Sequence, residues 1–319
     1  MKKNALLASI AVFLLFITAC SSAPDQPEDV LAKKNLAAEY SKSGNDYFSQ
    51  GLYDRALEFF NLALNHNVAV DNVPGIVQSY NSIGSVYMAQ GYTDKAMQHF
   101  EQAHLIAQRI NNPVLLAQSA TKIGEVYFKN NDLPTAKQYF TEALQYENRG
   151  IPEEDLAILY HDMGSVQKRL GERSQARKYI EQALHINLRL KRYEEVATNY
   201  YMLASLYSEN ENYVKAIELA LLALENDKKV ENSLGIAKDY FALGLISRKQ
   251  EKFAEAFDYF KKTYEIYQAL KSLYPTLSIE IEIKSLLEQL VQTAKDMDNQ
   301  NDVQRYTREL DYFMRRIAQ

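Results

Sequence analysis

The strongest constraint on this chain is a period of forty residues. Ala56, Ala96, Ala136, Ala176, Ala216 and Ala256 recur without exception, and Gly44, Gly84, Gly124, Gly164 and Gly244 do so with Ala204 in the remaining place. Tyr40, Tyr80, Tyr160, Tyr200 and Tyr240 share a position from which Ala120 departs, and Tyr47, Tyr87, Tyr127 and Tyr207 share another that Gln167 and Ser247 break. Phe60, Phe100, Phe140 and Phe260 share a further position, with Ile180 and Ala220 between them, and Ala63, Ala103, Ala143, Ala183 and Ala223 share one from which Thr263 departs. A chain built this way buries each unit against its neighbours, so the fold of one unit decides the fold of the whole.

Inside a unit the spacing is helical. Tyr80, Ile83, Gly84 and Tyr87 fall at i, i+3, i+4 and i+7, a break follows at "AQGYT", and Ala96, Phe100 and Ala103 form a second stripe. Each unit is therefore expected to be two antiparallel helices, with small residues at 84 and 96 letting the backbones approach. Gly51, Gly91 and Gly171 suit the left-handed conformation that ends a helix. Asn131 tolerates it too, whereas Glu211 and Glu251 do so less readily, so the turn is expected to differ in the last two units.

The pattern resembles the tetratricopeptide repeat, whose signature places a large aromatic, Leu-Gly, Tyr, Ala, Phe and Ala at these offsets. The resemblance covers residues 34–267, six units, with tyrosine filling the usual tryptophan place in a chain that has no tryptophan. Its forty-residue period is similar to a long-repeat subclass found in eukaryotic polarity adaptors and bacterial peptide-sensing regulators. The resemblance implies an all-α fold, a right-handed α-solenoid of helix hairpins whose first helices line a concave, partner-binding side. After Tyr274-Pro275 the period fails. Ile279, Ile281 and Ile283 could mark a strand, but Ile279, Ile283, Leu286, Leu287, Leu290 and Ala294 make a longer helical stripe, so 268–319 is expected to be a capping helix pair with a more polar outer side.

The other end reads as an export signal. "MKKNALLASIAVFLLFITACSS" has two lysines, an apolar run from Ala5 to Thr18 and small residues leading to the chain's one cysteine, Cys20. As a helix the run spans roughly 21 Å, short of the ~30 Å needed to cross a bilayer. Ile17, Thr18, Ala19 and Cys20 resemble the lipobox of bacterial lipoproteins, which implies removal of 1–19, acylation of Cys20 and anchoring of the protein on a membrane of the cell envelope. More than one acyl chain is enough for stable anchoring. Ser21 stands where inner-membrane retention in Gram-negative lipoproteins uses Asp, which points to the outer membrane. Residues 20–33, with "SSAPDQPEDV", read as a flexible tether.

Without the signal the chain has 34 basic and 41 acidic residues, a formal charge of −7, which argues against nucleic acid as a partner and against membrane binding by charge alone. No second cysteine exists to pair with Cys20.

On the first helix of each unit, positions 4, 7, 8 and 11 are expected to face the core and 2, 5, 6, 9, 12 and 13 the groove. The groove candidates are Lys42, Asn45 and Phe48; Asn81, Ser82, Ser85 and Met88; Lys122, Glu125, Phe128 and Lys129; His161, Asp162, Ser165, Lys168 and Arg169; Tyr201, Met202 and Ser205; and Lys238, Phe241, Leu245, Arg248 and Lys249. Eight bases (Lys42, Lys122, Lys129, Lys168, Arg169, Lys238, Arg248, Lys249) against Glu125, Asp162 and Glu209 predict a basic groove for an acidic or C-terminal peptide, with Tyr201, Met202, Phe241 and Leu245 as an apolar anchor. Five of the eight bases lie near helix C-termini, where they also complement the helix dipole. The Lys/Asn clamp of some chaperone-binding members is not reproduced, since Ser41 and Asn45, then Asn81 and Ser85, hold those places.

Catalysis, cofactors and metals are not expected. His66, His99, His104, His161 and His185 include no i, i+4 metal pair with a carboxylate between, and His161 beside Asp162 would point about 100° away from it on a helix. The alternative to a protein-binding adaptor is a binding protein for a small apolar ligand, perhaps beside a transporter, which needs a closed apolar pore.

Overall fold

The structure, a computed structural model, describes residues 27–317. The signal segment, Cys20 and the tether up to residue 26 lie outside them. The described residues form fourteen α-helices and no strand: α1 (Pro27–Ser49), α2 (Tyr53–Ala69), α3 (Val73–Ala89), α4 (Thr93–Arg109), α5 (Pro113–Lys129), α6 (Leu133–Leu144), α7 (Glu153–Arg169), α8 (Arg173–Leu190), α9 (Tyr193–Glu209), α10 (Tyr213–Lys229), α11 (Ser233–Lys249), α12 (Phe253–Leu273), α13 (Glu280–Asp296) and α14 (Gln300–Ile317). Residues 27–33, expected in the tether, are instead the first turns of α1, because Pro27 followed by Glu28 and Asp29 is a favourable helix start.

The period survives intact in the helices. From α3 to α11 the first helices start at Val73, Pro113, Glu153, Tyr193 and Ser233, and from α2 to α12 the second helices start at Tyr53, Thr93, Leu133, Arg173, Tyr213 and Phe253. The terminal pair breaks the period by insertion: Glu280 is 47 residues after Ser233 and Gln300 is 47 after Phe253. The seven extra residues are absorbed by the 21-residue α12 and the loop after it. On α13, Ile283, Leu286, Leu287, Leu290 and Ala294 are buried and Ile281 is exposed, the helical stripe expected there.

The chain divides into two compact bodies, one ending at Leu115 inside α5 and one starting at Leu116. In the first, α1 pairs with α2 and α3 with α4, and α2 packs on α3 around Phe60, Ile83 and Val86. In the second, the hairpins α7–α8, α9–α10, α11–α12 and α13–α14 stack through α8–α9, α10–α11 and α12–α13.

Five hairpins are closed by the same steric device. A β-carbon at Gly124 would stand 2.5 Å from the Phe140 ring, and Gly44, Gly84 and Gly244 meet Phe60, Phe100 and Phe260 at 2.6, 2.5 and 2.5 Å. Gly164 faces Ile180 at 2.5 Å. The fifth unit exchanges both partners: Ala204 takes the glycine place and Ala220 the ring's, and both are fully buried.

The turn inside the hairpin is also uniform, contrary to expectation. Gly51, Gly91, Asn131 and Gly171 have φ between +64° and +84°, and Glu211 and Glu251 adopt +59° and +60°. The backbone imposes this: Asn212 N–H donates to the Tyr207 carbonyl and Lys252 N–H to the Ser247 carbonyl, both at 3.0 Å, as Leu52 donates to Tyr47 at 2.9 Å. Turns between hairpins use the same conformation at Asp71, Asn111, Lys191 and Glu231, where no glycine signals it.

Candidate partner-binding face

First helices of neighbouring hairpins touch one another, α1 with α3 and α9 with α11, which puts them on the inner side of each stack. Their buried residues extend past the expected stripe. On α3, Val77, Ser79 and Val86 are buried along with Ile83 and Gly84, because an inner helix packs on the preceding hairpin as well as on its own partner. The remaining positions are those expected to meet a partner, and most are half-buried.

In the first body, Lys42 and Asn45 on α1 are exposed, whereas Phe48 lies 5.9 Å from the Tyr53 ring. Asn81, Ser82, Ser85 and Met88 on α3 are half-buried.

In the second body the inner face is a chain of polar contacts. Lys122 Nζ meets Glu125 Oε1 at 2.6 Å. Burial works against the lysine's charge, but Glu125, Asp162 and Asp155 outweigh it and hold the ammonium above its ordinary pKa. Burial, reinforced by Glu125, pushes the Asp162 carboxyl well above the usual carboxylate range. His161 Nδ1 is 2.9 Å from Asn199 Nδ2, and burial lowers the imidazole's pKa. A neutral ring accepts the amide proton there. Asn199 Oδ1 in turn accepts from Asn187 Nδ2 at 3.0 Å. Lys168 Nζ donates to Ser205 Oγ at 2.5 Å and pairs with Glu209, which Arg173 also holds at 3.0 Å.

Several bases of the expected basic groove have partners within the fold. Arg248 donates to Asp296 at 3.0 and 3.1 Å and to Gln289 at 3.0 Å, both on α13. Arg169 reaches Asn131 Oδ1 at 2.5 Å and lies over the Phe128 ring, and Lys249 donates to Ser208 at 3.2 Å. Lys122, Lys168, Arg169, Arg248 and Lys249 thus have partners within the fold. Counting charges along the first helices could not show this, since Asp296 comes from the terminal hairpin. The expected apolar anchor is divided: Phe241 and Leu245 pack against the cluster shared with α13, and Met202 packs against the neighbouring cluster around Leu203 and Leu206. What the face offers is a set of held donors and acceptors, with Lys122, Lys168 and Arg248 each beside a carboxylate.

Sequence reasoning missed a set of polar rungs between hairpins. Asn67 donates to Ser79 at 3.3 Å, Asn187 to Asn199 at 3.0 Å, and Asp227 shares a hydrogen bond with Asp239; all six residues are buried. Asn72 and Asn232 brace two rungs, donating to Asn67 Oδ1 at 2.7 Å and Asp227 Oδ1 at 3.0 Å. Gly75 and Gly235 leave the room, since a β-carbon would stand 2.3 Å from Asn67 Oδ1 and 2.1 Å from Asp227 Oδ2. The available signal was polar residues recurring in register at 67, 187 and 227, against 79, 199 and 239.

Among the described residues no group of three or more His, Cys, Asp or Glu side chains could hold a metal ion, and no helix is long and apolar enough to cross a membrane.

A family profile of the tetratricopeptide repeat matches residues 35–109, 75–146 and 194–269, and a second profile of the same repeat matches 157–195. A comparison with curated proteins finds no match. Among solved structures, the chain is similar to BtubC (BKLC) from P. vanneervenii, at 18% identity over 75% of this chain and 92% of that one, with a TM-score of 0.56. It is similar to pilF of Pseudomonas aeruginosa at 18% identity over 81% and 99% of the two chains, with a TM-score of 0.54. A Rap protein complexed with competence and sporulation factor matches at 17% identity over 88% and 74%, with a TM-score of 0.58. At these identities the likeness is one of fold.

Proposed function

The chain belongs to the tetratricopeptide repeat family, and on that premise we propose that it is a non-catalytic adaptor that binds a protein or peptide along the inner helices and is held on an envelope membrane by acylated Cys20. The observation that carries the binding reading is the row of half-buried polar side chains on α5, α7, α9 and α11, oriented by one another before a partner arrives: Lys122 by Glu125, His161 by Asn199 and Lys168 by Ser205. Preorganised donors and acceptors lose little freedom on binding, which suits recognition of a peptide backbone. The complex of a structurally similar Rap protein with competence and sporulation factor supports a binding role for this fold. Lys122, Lys168 and Arg248 are held beside carboxylates, which favours a partner recognised by hydrogen bonds at those three positions.

The test places a photocrosslinking residue at Met202, on the inner helix α9, or at exposed Leu221 on α10, in full-length protein in its native membrane. A discrete adduct from 202 and none from 221 is the expected result. Adducts from 221 alone would move the contact off the inner face, and stabilisation by small apolar compounds without any adduct would favour the small-ligand alternative. Cys20→Ser should release the protein from the membrane fraction, and retention would remove the lipid anchor from the proposal.

A further inference from the structure

Where the hairpin α7–α8 meets α9–α10, Arg173, Ser174 and Arg177 at the start of α8 and Leu206, Tyr207 and Asn210 at the end of α9 enclose a cavity of about 280 Å³. The other repeats show what this place holds when it serves packing alone. The counterparts of Arg173 and Arg177 are Tyr53 and Leu57, Thr93 and Met97, Leu133 and Lys137, Tyr213 and Ile217, and Phe253 and Phe257. A single unit carries arginine at both, and it gives up an aromatic contact of the kind Tyr53 makes with Phe48. The fold does not ask for these two guanidinium groups.

Their present partners are weak. Arg173 Nε meets Glu209 at 3.0 Å, but Glu209 also serves Lys168, and Arg177 Nε is 3.8 Å from Glu181. Three cations therefore share two carboxylates. Both arginines are about half exposed, and exposed pairs of this type contribute roughly 0–1 kcal/mol, so either guanidinium can be redirected at little cost. The cavity has an apolar side as well, with Leu206 buried at its floor and the Tyr207 ring 5.9 Å from the Arg177 guanidinium. Ser174 and Asn210 add polar groups to the rim.

We propose that this cavity binds a phosphate monoester carried on a flat apolar group, the arginines gripping the oxyanion and Leu206 and Tyr207 the ring. Arginine suits this because its planar fork makes two parallel bonds to phosphate. The site uses none of the inner-face residues proposed to bind a protein partner. Its ligand is either a phosphorylated aromatic side chain of a partner or a small aryl phosphate.

Titration of full-length protein with phenyl phosphate, followed by ligand-observed NMR, tests the site. Saturable binding is expected, weakened roughly tenfold by Arg177→Gln and by Arg173→Gln and unchanged by Lys178→Gln, which lies on the exposed side of the same helix. Unaltered circular dichroism and melting would show that the arginine variants remain folded. Absence of saturation, binding by both arginine variants as tight as by the parent protein, or inorganic phosphate binding as tightly as phenyl phosphate would overturn the proposal. A phosphotyrosine peptide binding more tightly than phenyl phosphate would identify a partner protein as the source, and equal affinity a small molecule.

Discussion

Asp239 on α11 shares a hydrogen bond with Asp227 on α10, in the place where the other rungs pair Asn67 with Ser79 and Asn187 with Asn199. Both carboxyls are nearly inaccessible, at 1% and 5% exposure. Burial, and then the neighbouring Asp227, push the Asp239 pKa up to about 9, and burial raises Asp227 as well. Tyr201 and Glu194 of α9 and Lys238 of α11 are the other charged or titratable groups close enough to act on the pair. The folded state keeps a proton that the unfolded chain releases near pH 4. The pair therefore favours folding in acid, and that contribution is lost as pH rises from about 4 to about 9. Asp239→Asn supplies a neutral donor with no proton to hold. It should flatten the decline and raise stability at neutral pH by about 2 kcal/mol, read from urea unfolding at pH 5, 7 and 9.

Ala204 and Ala220 are a second exchange within a repeat. Four units put a phenylalanine over a glycine and the fifth puts alanine against alanine, so the two positions form one packing unit. Ala220→Phe should destabilise by about 1–3 kcal/mol through overpacking. Adding Ala204→Gly should recover more than half of that loss, because it recreates the arrangement of Gly84 beneath Phe100. Thermal melts of the two single variants and the double variant measure this coupling, and simple additivity would contradict it.

The helices were legible because each unit repeats a strict pattern of small and aromatic residues, with Gly84 set against Phe100. The terminal hairpin was readable as helix but not as a shifted continuation of the repeat, since insertion of seven residues moves every marker out of register. The partner-facing positions were read from helix geometry, yet their electrostatics were not. Arg248 counts as a free base along α11 until Asp296 arrives from α13. Asp227 and Asp239 look like solvated acids in the sequence because the packing of α10 on α11 is what buries them.

Glu211 and Glu251 hold backbone angles that Gly51, Gly91 and Gly171 hold without a side chain. A left-handed conformation costs an ordinary residue roughly 1–2 kcal/mol. Part of that is returned when glycine loses its extra freedom on folding. Glu251→Gly and Glu211→Gly should each stabilise the chain by about 0.5–1 kcal/mol, and Gly91→Glu should cost a similar amount. All three positions are exposed turns, so the comparison in urea leaves the buried side chains untouched. Destabilisation by the glycines would show that the turns are held by the glutamate side chains.

His161 should act on stability with the sign opposite to Asp239. Burial lowers its pKa, so the folded state favours the neutral ring that accepts from Asn199, while the unfolded chain takes up a proton near pH 6.5. Its contribution is present above about pH 6.5 and is lost as pH falls through the lowered folded value. Below neutrality the protein thus meets two opposed slopes, a loss from His161 and a gain from the Asp227–Asp239 pair. His161→Gln keeps an acceptor for Asn199 but cannot be protonated, so it should remove the loss and leave the gain. Melting temperatures at pH 7 and pH 5 should then rise more steeply on acidification in His161→Gln than in the parent chain. Asp239→Asn should show the reverse. Equal pH dependence in all three proteins would mean that neither group changes its protonation on folding.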